Sequence, residues 1–281
     1  MSTKPSPDPD SRRTTRRMGA FRPAASGARL ASKIDRVLTT ALGGDPRVVL
    51  DVKAAELLAE AVTAAQVISA ALDHAGPGLV PQLAVTQTFR RSGLENDLVD
   101  ALGSDDPDVR IAGARVCGAL RLPIAIPWLA DLLDDPHPAV REVAVRALGQ
   151  AGGRRAADAL MAHADRLPAY RVAPALARAA SDIDLESLVR GTSATQTRVI
   201  VLMACGLRRD ALQTPLLVKM AQDRQCETEI RVAACRAVAM IADPAGADAM
   251  RMLATEPDAT VRKAAVRARL RISVALRKRS G

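Results

Sequence analysis

The stretch Asp135-Pro-His-Pro-Ala-Val-Arg-Glu-Val-Ala-Val-Arg-Ala-Leu-Gly149 opens with a turn signal and continues as an alanine-rich apolar run. Related stretches occur on both sides of it, among them Asp106-Pro-Asp-Val-Arg110 and Pro257-Asp-Ala-Thr-Val-Arg262. In six copies an arginine stands at the same place, with gaps of 31, 30, 27, 33 and 31 residues between successive arginines. These repeat arginines are Arg110, Arg141, Arg171, Arg198, Arg231 and Arg262. A period of this length predicts stacked helical units rather than a single globular core.

Each unit is predicted to hold a first helix, a turn with aspartate or proline, and a second helix that contains the repeat arginine. Asp-Pro favours a helix start, because proline fits the first turn and the carboxylate accepts hydrogen bonds from free N–H groups. First helices are predicted over 94–103, 124–134, 154–165, 182–190, 211–222 and 244–255. Second helices are predicted over 107–120, 138–150, 169–180, 194–207, 228–241 and 258–277. Pro174 falls inside the third of these and is expected to shorten or kink it.

The chain is predicted to contain three regions. Residues 1–30 are rich in Pro, Ser, Thr, Gly and Arg, which is typical of a disordered basic tail. Residues 31–93 are predicted to form an irregular helical cap, with helices over about 51–73 and 79–91. Residues 94–281 are predicted to form the repeat solenoid, which ends in a basic helix. The predicted fold class is therefore all-α.

Composition narrows the classes of protein that are possible. The four aromatic residues leave a core of Ala, Leu, Val, Ile and Met, which suits short helices packed in layers. No stretch of 18 apolar residues lacks a charge, so no membrane span is predicted. No apolar segment follows the early arginines, so no secretory signal is expected and a cytoplasmic location is predicted. The four cysteines lack metal-ligand spacing and are expected to be small buried residues in a reducing compartment.

The repeats resemble HEAT repeats, in particular the short bacterial HEAT-like repeats first noted in phycobilisome lyases. The resemblance covers about residues 94–272 and is clearest over Val140-Arg-Glu-Val-Ala-Val-Arg-Ala-Leu-Gly149. It implies a right-handed solenoid of antiparallel helix pairs in the armadillo-like superfamily, with the second helices on the concave side. It also implies a ladder in which arginines pair with acids five or six places before each repeat arginine. The acids at that position are Asp105, Asp135, Asp165 and Glu256, and the ladder is expected to be interrupted in repeats four and five.

The repeat arginines are therefore interpreted as architectural, and a second stripe is the candidate binding surface. Residues one and five places after each repeat arginine share a helix face, since they are four apart. We predict a partner-binding groove with an apolar middle and arginines at both ends. Its members are Arg115, Arg146, Val172, Leu176, Val199, Met203, Val232, Arg236 and Arg267. Such a groove suits an acidic or amphipathic segment of another protein. The alternative for these positions is a solvated polar face without a partner.

The net charge of +9 is concentrated at the two ends of the chain. Residues 1–29 carry +5, residues 262–281 carry +8, and the remainder carries −4. The basic arm Arg12, Arg13, Arg16 and Arg17 is a candidate for contact with phosphates, lipid headgroups or an acidic protein. Sequence-independent binding of nucleic acid through these ends is thus the alternative function to protein binding.

An enzyme is not expected, and no cofactor is predicted. His74, His137 and His163 lie in different units, and no Gly-rich phosphate loop, Ser-His-Asp order or close Cys-His pair occurs. The resemblance to HEAT-like proteins also suggests two activities, bilin lyase and alkylpurine DNA glycosylase. No residue marks a tetrapyrrole site, and Trp128 is predicted on a first helix, where it is unable to stack a base in the groove. Both activities are therefore disfavoured.

Overall fold

The structure, a computed structural model, describes residues 25–76, 78–180, 187–189 and 194–280. The basic arm of Arg12, Arg13, Arg16 and Arg17 lies outside these residues, as does most of the predicted first helix over 182–190. Within the described ranges the chain is all-α, with short 3-10 turns and no strand. Residues 187–189 are helical, and Leu188 and Val189 are buried there.

Four helices precede the regular repeats. They are α1 (Ala25–Leu42), α2 (Ala54–Ala59), α3 (Ala61–Ala75) and α4 (Leu79–Arg91). Helix α1 buries Leu30, Ile34 and Leu38, which recur every four residues along one face. Because α1 starts at Ala25, the predicted tail of residues 1–30 is too long: its last residues belong to a packed helix. The sequence analysis assigned no helix to this segment, although its apolar period is regular.

The predicted helix pairs are present wherever the structure describes them. The first helices are α5 (Leu94–Asp100), α7 (Ile126–Asp131), α9 (Gly153–Ala162), α12 (Thr214–Gln222) and α14 (Ala247–Leu253). The second helices are α6 (Pro107–Ala119), α8 (Pro138–Ala151), α10 (Ala169–Ala179), α11 (Thr195–Arg208), α13 (Thr228–Ile241) and α15 (Ala259–Ser280). Helix α10 continues through Pro174 and is the shortest of the six second helices at 11 residues.

The second helices form a continuous layer in which each contacts the next, from α6 through α8, α10, α11 and α13 to α15. Helix α3 packs against α6 and so extends the layer by one helix toward the N-terminus. The first helices pack on the other side, against their own second helices. One apolar core of mainly aliphatic side chains runs through the whole stack. The architecture is an α-solenoid, as predicted.

Three glycines allow the second helices to approach closely. A Cβ at Gly118 would lie 2.6 Å from the Cα of Ala147, and one at Gly206 would lie 2.7 Å from the Cα of Ala237. At Gly149 it would lie 2.8 Å from the Cα of Ala175. Each glycine stands eight places after its repeat arginine. At these three interfaces the spacing of the layer therefore depends on a position that holds no side chain, whereas the same count leads to Ala179 in α10 and Ala239 in α13.

Replacing Gly149 by valine is expected to destabilise the protein by about 1–3 kcal/mol, because α8 and α10 would have to move apart. Urea unfolding followed by circular dichroism measures the change. Gly103→Ala is the matched control, since a Cβ at that glycine meets nothing within 4 Å. A Gly149→Val variant as stable as the Gly103→Ala variant would contradict the close approach.

The repeat arginines organise the turns that precede the second helices. Arg110 Nη1 donates to the carbonyl oxygens of Ser104 and Asp105, at 2.7 and 3.0 Å. Arg141 and Arg262 donate in the same way to carbonyls six and five residues before them. Because an arginine side chain offers several donors in a fixed fork, the same group is also able to reach a carboxylate. The repeat arginines thus have an architectural role in three turns of the solenoid.

The acid–arginine ladder is present in two places. The Nε and Nη2 atoms of Arg110 donate to the two carboxylate oxygens of Asp135 in the next repeat, at 2.8 and 3.1 Å. Arg231 Nη2 lies 2.9 Å from Glu256 Oε1, again in the next repeat. Asp105 and Asp165 are exposed and form no ion pair in the described part of the chain, so the ladder is shorter than the resemblance implied. Arg171 instead pairs with Glu142 of the preceding repeat.

The expected interruption of the ladder is visible at Arg198. The position that would supply its acid in the next repeat holds Gln225 and Cys226. Among the described residues, Arg198 Nε is buried without a hydrogen-bond partner. The missing carboxylate therefore leaves one guanidinium donor unused in repeat four.

No helix within the described residues combines the length and the apolar character that crossing a bilayer requires.

Candidate second-helix groove

The apolar middle of the predicted groove is not on the surface. Val172, Leu176 and Val232 are buried, and Val199 and Met203 are half-buried against the core. The prediction that Val172, Leu176 and Val232 line an accessible groove is therefore wrong. These side chains hold the solenoid together and are not available to a partner.

The error at Leu176 comes from where helix α10 begins. Arg171 is the third residue of α10, whereas each of the other five repeat arginines is the fourth residue of its helix. One residue of offset rotates a side chain by about 100° around the helix axis. The offset at the helix start is part of a larger shift, since the exposed arginine of this repeat, Arg178, lies two residues beyond the count of five from Arg171.

The arginines of the predicted groove, unlike its apolar members, are accessible to solvent. Arg146, Arg236 and Arg267 are exposed, and Arg115 is half-buried. In the third repeat the exposed arginine is Arg178, seven residues after Arg171, which the sequence analysis missed. A signal was present, because Arg178 follows Arg146 by 32 residues and Arg146 follows Arg115 by 31. The regular spacing of these three arginines was hidden by the count from Arg171.

Arg115, Arg146 and Arg178 line one cavity, which we call the arginine groove. It has a volume of about 370 Å³ and lies over four successive helices, α3, α6, α8 and α10. Its lining residues are Val62, Ala65, Gln66, Arg115, Val143, Arg146, Ala147, Gln150 and Arg178. Three guanidinium groups, two amides and an apolar floor thus face the same space.

A second cavity continues the arginine groove toward the N-terminus. It has a volume of about 490 Å³, lies between the α2–α3 region and α6, and shares Arg115 with the first cavity. Glu60 and Asp108 line it, so this part of the surface carries negative charge. The positive charge is therefore concentrated between Arg115 and Arg178.

The cations of the arginine groove are largely free of protein carboxylates. Within the part of the chain that the structure describes, Arg115 and Arg178 form no ion pair. Arg146 Nη2 is 3.9 Å from Glu142 Oε1, at the outer limit of a salt bridge. The hydrogen bond from Arg171 holds the pKa of Glu142 below its usual range, so this carboxylate is already engaged elsewhere. Three guanidinium groups thus remain available for an anionic partner.

The cysteines have no sign of reactive chemistry. Cys117, Cys205 and Cys235 are buried, as predicted, while Cys226 is half-exposed. Burial raises the pKa of the Cys117 thiol to about 12 and that of Cys235 to about 11. Both therefore stay protonated at neutral pH and are poor nucleophiles. Among the described residues, no group of three His, Cys, Asp or Glu side chains is placed to hold a metal ion.

A larger cavity, about 750 Å³, lies in the N-terminal cap between α1, α3 and α4. About half of its lining residues are Ala, Leu, Val and Pro, and Asp35, His74 and Arg91 line it together with Asp45. None of these four takes part in a cluster of charges like that of the arginine groove. The sequence analysis did not predict this cavity.

Several solved structures are similar to this chain at low sequence identity. Human deoxyhypusine hydroxylase in complex with glycerol is 15% identical over 88% of this chain and 98% of that chain, with a TM-score of 0.30. The CpcE–CpcF complex of phycocyanin lyase from Nostoc is 17% identical over 80% and 95%, with a TM-score of 0.34. A designed armadillo repeat protein in complex with the peptide (KR)4 is 17% identical over 85% and 99%, with a TM-score of 0.33.

No curated protein matches the sequence. The family model for HEAT repeats matches residues 95–181 and 184–269, which together make up more than half of the chain. The matched ranges include all six repeat arginines and run from α5 to the middle of α15. The chain therefore belongs to the HEAT-repeat family.

Proposed function

We propose that this protein is a non-enzymatic scaffold that binds an acidic segment of another protein along the arginine groove. The observation that carries the proposal is the convergence of Arg115, Arg146 and Arg178 on one cavity. Exposed charges on repeat proteins are usually solvated, and cations at scattered positions would need no partner. Three cations from three successive helices, largely without acids of their own, form a surface that is complementary to carboxylates.

The geometry favours an extended segment. Packed helices lie about 8–10 Å apart, so three arginines on successive helices span about 20 Å. An extended chain advances about 3.3 Å per residue and covers that span with about six residues. If the segment adopts the polyproline II conformation, which has three residues per turn and a similar rise per residue, carboxylates at every third residue lie on one side and meet each guanidinium in turn. The amides of Gln66 and Gln150 beside the arginines are able to bind main-chain groups of such a segment.

Nucleic acid is the alternative ligand for a basic surface. Single-stranded nucleic acids are bound by cations together with aromatic side chains that stack on the bases. Among the residues that the structure describes, no aromatic side chain lines the arginine groove. Trp128 lies on the first helix α7 and Tyr170 at the start of α10, and neither belongs to the groove lining. The groove is therefore better suited to carboxylates than to bases.

Charge reversal tests the proposal. In the triple variant Arg115→Glu, Arg146→Glu and Arg178→Glu, affinity for a fluorescein-labelled (Glu-Ser-Gly)4 peptide is expected to fall at least about tenfold, because like charges then face each other. Fluorescence anisotropy at low salt measures the affinity. A labelled 12-nucleotide oligo(dT) measured alongside reports whether the groove prefers nucleic acid.

The matched control reverses three exposed arginines away from the groove, Arg29, Arg36 and Arg155. This control lowers the net charge by the same amount as the groove variant. Its peptide affinity is expected to change less than about twofold, because salt screens charges that are distant from the groove. Equal losses in the two triple variants would show that only net charge matters, and the proposed groove would then be wrong. A groove-dependent preference for oligo(dT) over the peptide would also overturn the proposal.

A further inference from the structure

The last helix, α15, presents a face that no part of the described chain covers. Its packed side consists of Val261, Ala264, Ala265, Ala268 and Ile272, which are buried against α13 and α14. On the opposite side Leu270 and Val274 are 56% and 52% exposed. From Ser273 to Lys278 every side chain except Ala275 is exposed, so the helix extends beyond its packing partners.

The exposed face has two parallel lines of side chains. Val266, Leu270 and Val274 are four residues apart and form an aliphatic line. Lys263, Arg267 and Arg271 are also four apart and form a line of exposed cations. Each cation is three residues before a member of the aliphatic line, so the two lines are neighbours on the helix surface. We call this surface the C-terminal face.

The C-terminal face has no carboxylate of its own. Residues 259–280 contain no aspartate or glutamate. Among the acids of the elements packed beside α15, Asp248 pairs with Arg251, and Glu256 pairs with Arg231 and Arg224. Glu229 in the first turn of α13 is exposed and forms no ion pair with α15 in the described part of the chain. Asp258 accepts hydrogen bonds from Thr228 Oγ1 and from the N–H groups at the start of α15. The cation line therefore lacks a partner within the described residues.

Leu270 excludes one occupant, namely a further repeat stacked as the internal ones are. It stands eight residues after Arg262, the position that Gly118, Gly149 and Gly206 hold after their own repeat arginines. Those glycines meet the next second helix so closely that a Cβ would come within 2.8 Å of its Cα atoms. A leucine side chain at this place prevents the same approach. A partner helix must therefore lie farther out, where larger side chains fill the space.

We propose that the C-terminal face binds an amphipathic helix of a partner protein, one that carries an aliphatic line flanked by acids. The aliphatic line packs against Leu270 and Val274, and the acids pair with Lys263, Arg267 and Arg271. The charge of the face selects an acidic partner. The side-by-side arrangement of the two lines selects a helix rather than an extended chain. The proposal does not depend on the arginine groove, because Arg115, Arg146 and Arg178 lie on other helices.

An anionic membrane is a weaker fit for this face. Helices that lie on membranes carry large apolar side chains, commonly tryptophan or phenylalanine, on a broad face. Helix α15 has no aromatic residue, and its aliphatic line is one side chain wide. Binding to an anionic membrane is therefore one of the outcomes that the test distinguishes.

The test uses the whole chain and two synthetic 18-residue helical peptides. Both have glutamates beside a line of positions four residues apart; one peptide has leucine at these positions and the other has serine. Fluorescence anisotropy is expected to show at least about tenfold tighter binding of the leucine peptide, since burial of leucine side chains supplies the affinity. The variant Leu270→Ser with Val274→Ser is expected to lose about the same factor.

The matched control is Leu212→Ser with Met252→Ser, two exposed apolar residues outside the C-terminal face, at 85% and 68% exposure. It is expected to bind the leucine peptide within about twofold of the parent, as is the arginine-groove triple variant, because neither alters the C-terminal face. Equal affinity for the leucine and serine peptides would overturn the proposal. So would capture of the protein by phosphatidylserine vesicles, or self-association in light scattering, that is lost in the Leu270→Ser, Val274→Ser variant.

Discussion

The variant Leu176→Asp is expected to lose at least about 4 kcal/mol of stability, because it removes a buried leucine and places a charge in an apolar environment. Leu176 is fully buried on α10, in the middle of the continuous core. Thermal unfolding followed by circular dichroism is expected to show a large fall in Tm. Hydrogen exchange is expected to show the loss of protection first in α8, α10 and α11, because contacts in a solenoid are between neighbours.

Arg178→Asp is the matched control for this prediction. It introduces the same residue two positions further along α10, on the exposed side. Its stability is expected to stay within about 0.5–1 kcal/mol of the parent, which is usual for a surface substitution. If the Leu176→Asp variant had the same Tm as the parent protein, Leu176 would have to be accessible to solvent. The groove predicted from the sequence would then be correct at this position.

The variant Asp135→Ala is expected to lose about 3–5 kcal/mol, because it leaves the buried guanidinium of Arg110 without its counter-charge. The side chains of Arg110 and Asp135 are 10% and 5% exposed and share two hydrogen bonds. Asp135 also accepts from the backbone N–H of His137, at the start of α8. A double-mutant cycle with Arg110→Met, measured by urea unfolding, separates the pair from the effects of each side chain.

The same contact has a signature in the pH dependence of stability. Burial raises the pKa of Asp135, but the hydrogen bonds from Arg110 and from the N–H of His137 outweigh it, and the pKa is lowered overall. The ionised Asp135 therefore stabilises the folded protein at a pH above the ordinary pKa of an aspartate. This stabilisation is lost as the pH falls through the lowered pKa of Asp135. Asp135→Ala is expected to lack this acid-sensitive part of the stability curve.

Asp105→Ala is the control, since Asp105 stands five residues before Arg110, next to the place that Asp135 holds six residues before Arg141, and is exposed. Its effect is expected to remain within about 0.5 kcal/mol. A loss as large as that of Asp135→Ala would mean that position in the repeat, and not the buried pair, decides the stability.

Much of the fold was predictable because local signals agreed along the chain. The Asp-Pro turn before α6 and the Pro-His-Pro turn before α8 mark helix starts that the structure confirms. The regular spacing of the repeat arginines predicted the second helices, and the structure confirms their starts to within one residue and their ends to within three. The segment now seen as α1 was missed because its neighbouring tail dominated the composition of residues 1–30.

The candidate site was predictable only in part. Arg115 and Arg146 were correctly placed on a shared face, because their helices start at the same distance from the repeat arginine. Arg178 was missed and Leu176 was wrongly included, since the exposed arginine of α10 lies seven residues after Arg171, whereas Arg146 lies five residues after Arg141. A helix period turns an offset of a single residue into a rotation of about 100°. A sequence pattern shows that residues recur at a given spacing. It does not place the rotation of each helix to within a single residue.

The sequence by itself determined that this protein is a stack of helix pairs, that its core is aliphatic and that its C-terminal helix lacks acids. These properties follow from composition and period, which act locally along the chain. Only the tertiary structure decided which side chains are accessible. Burial depends on the rotation of each helix against its neighbours, and close approaches such as that of Gly149 to Ala175 set that rotation. For this reason the repeat spacing predicted the scaffold, whereas the arginine groove and the C-terminal face emerged from helix packing.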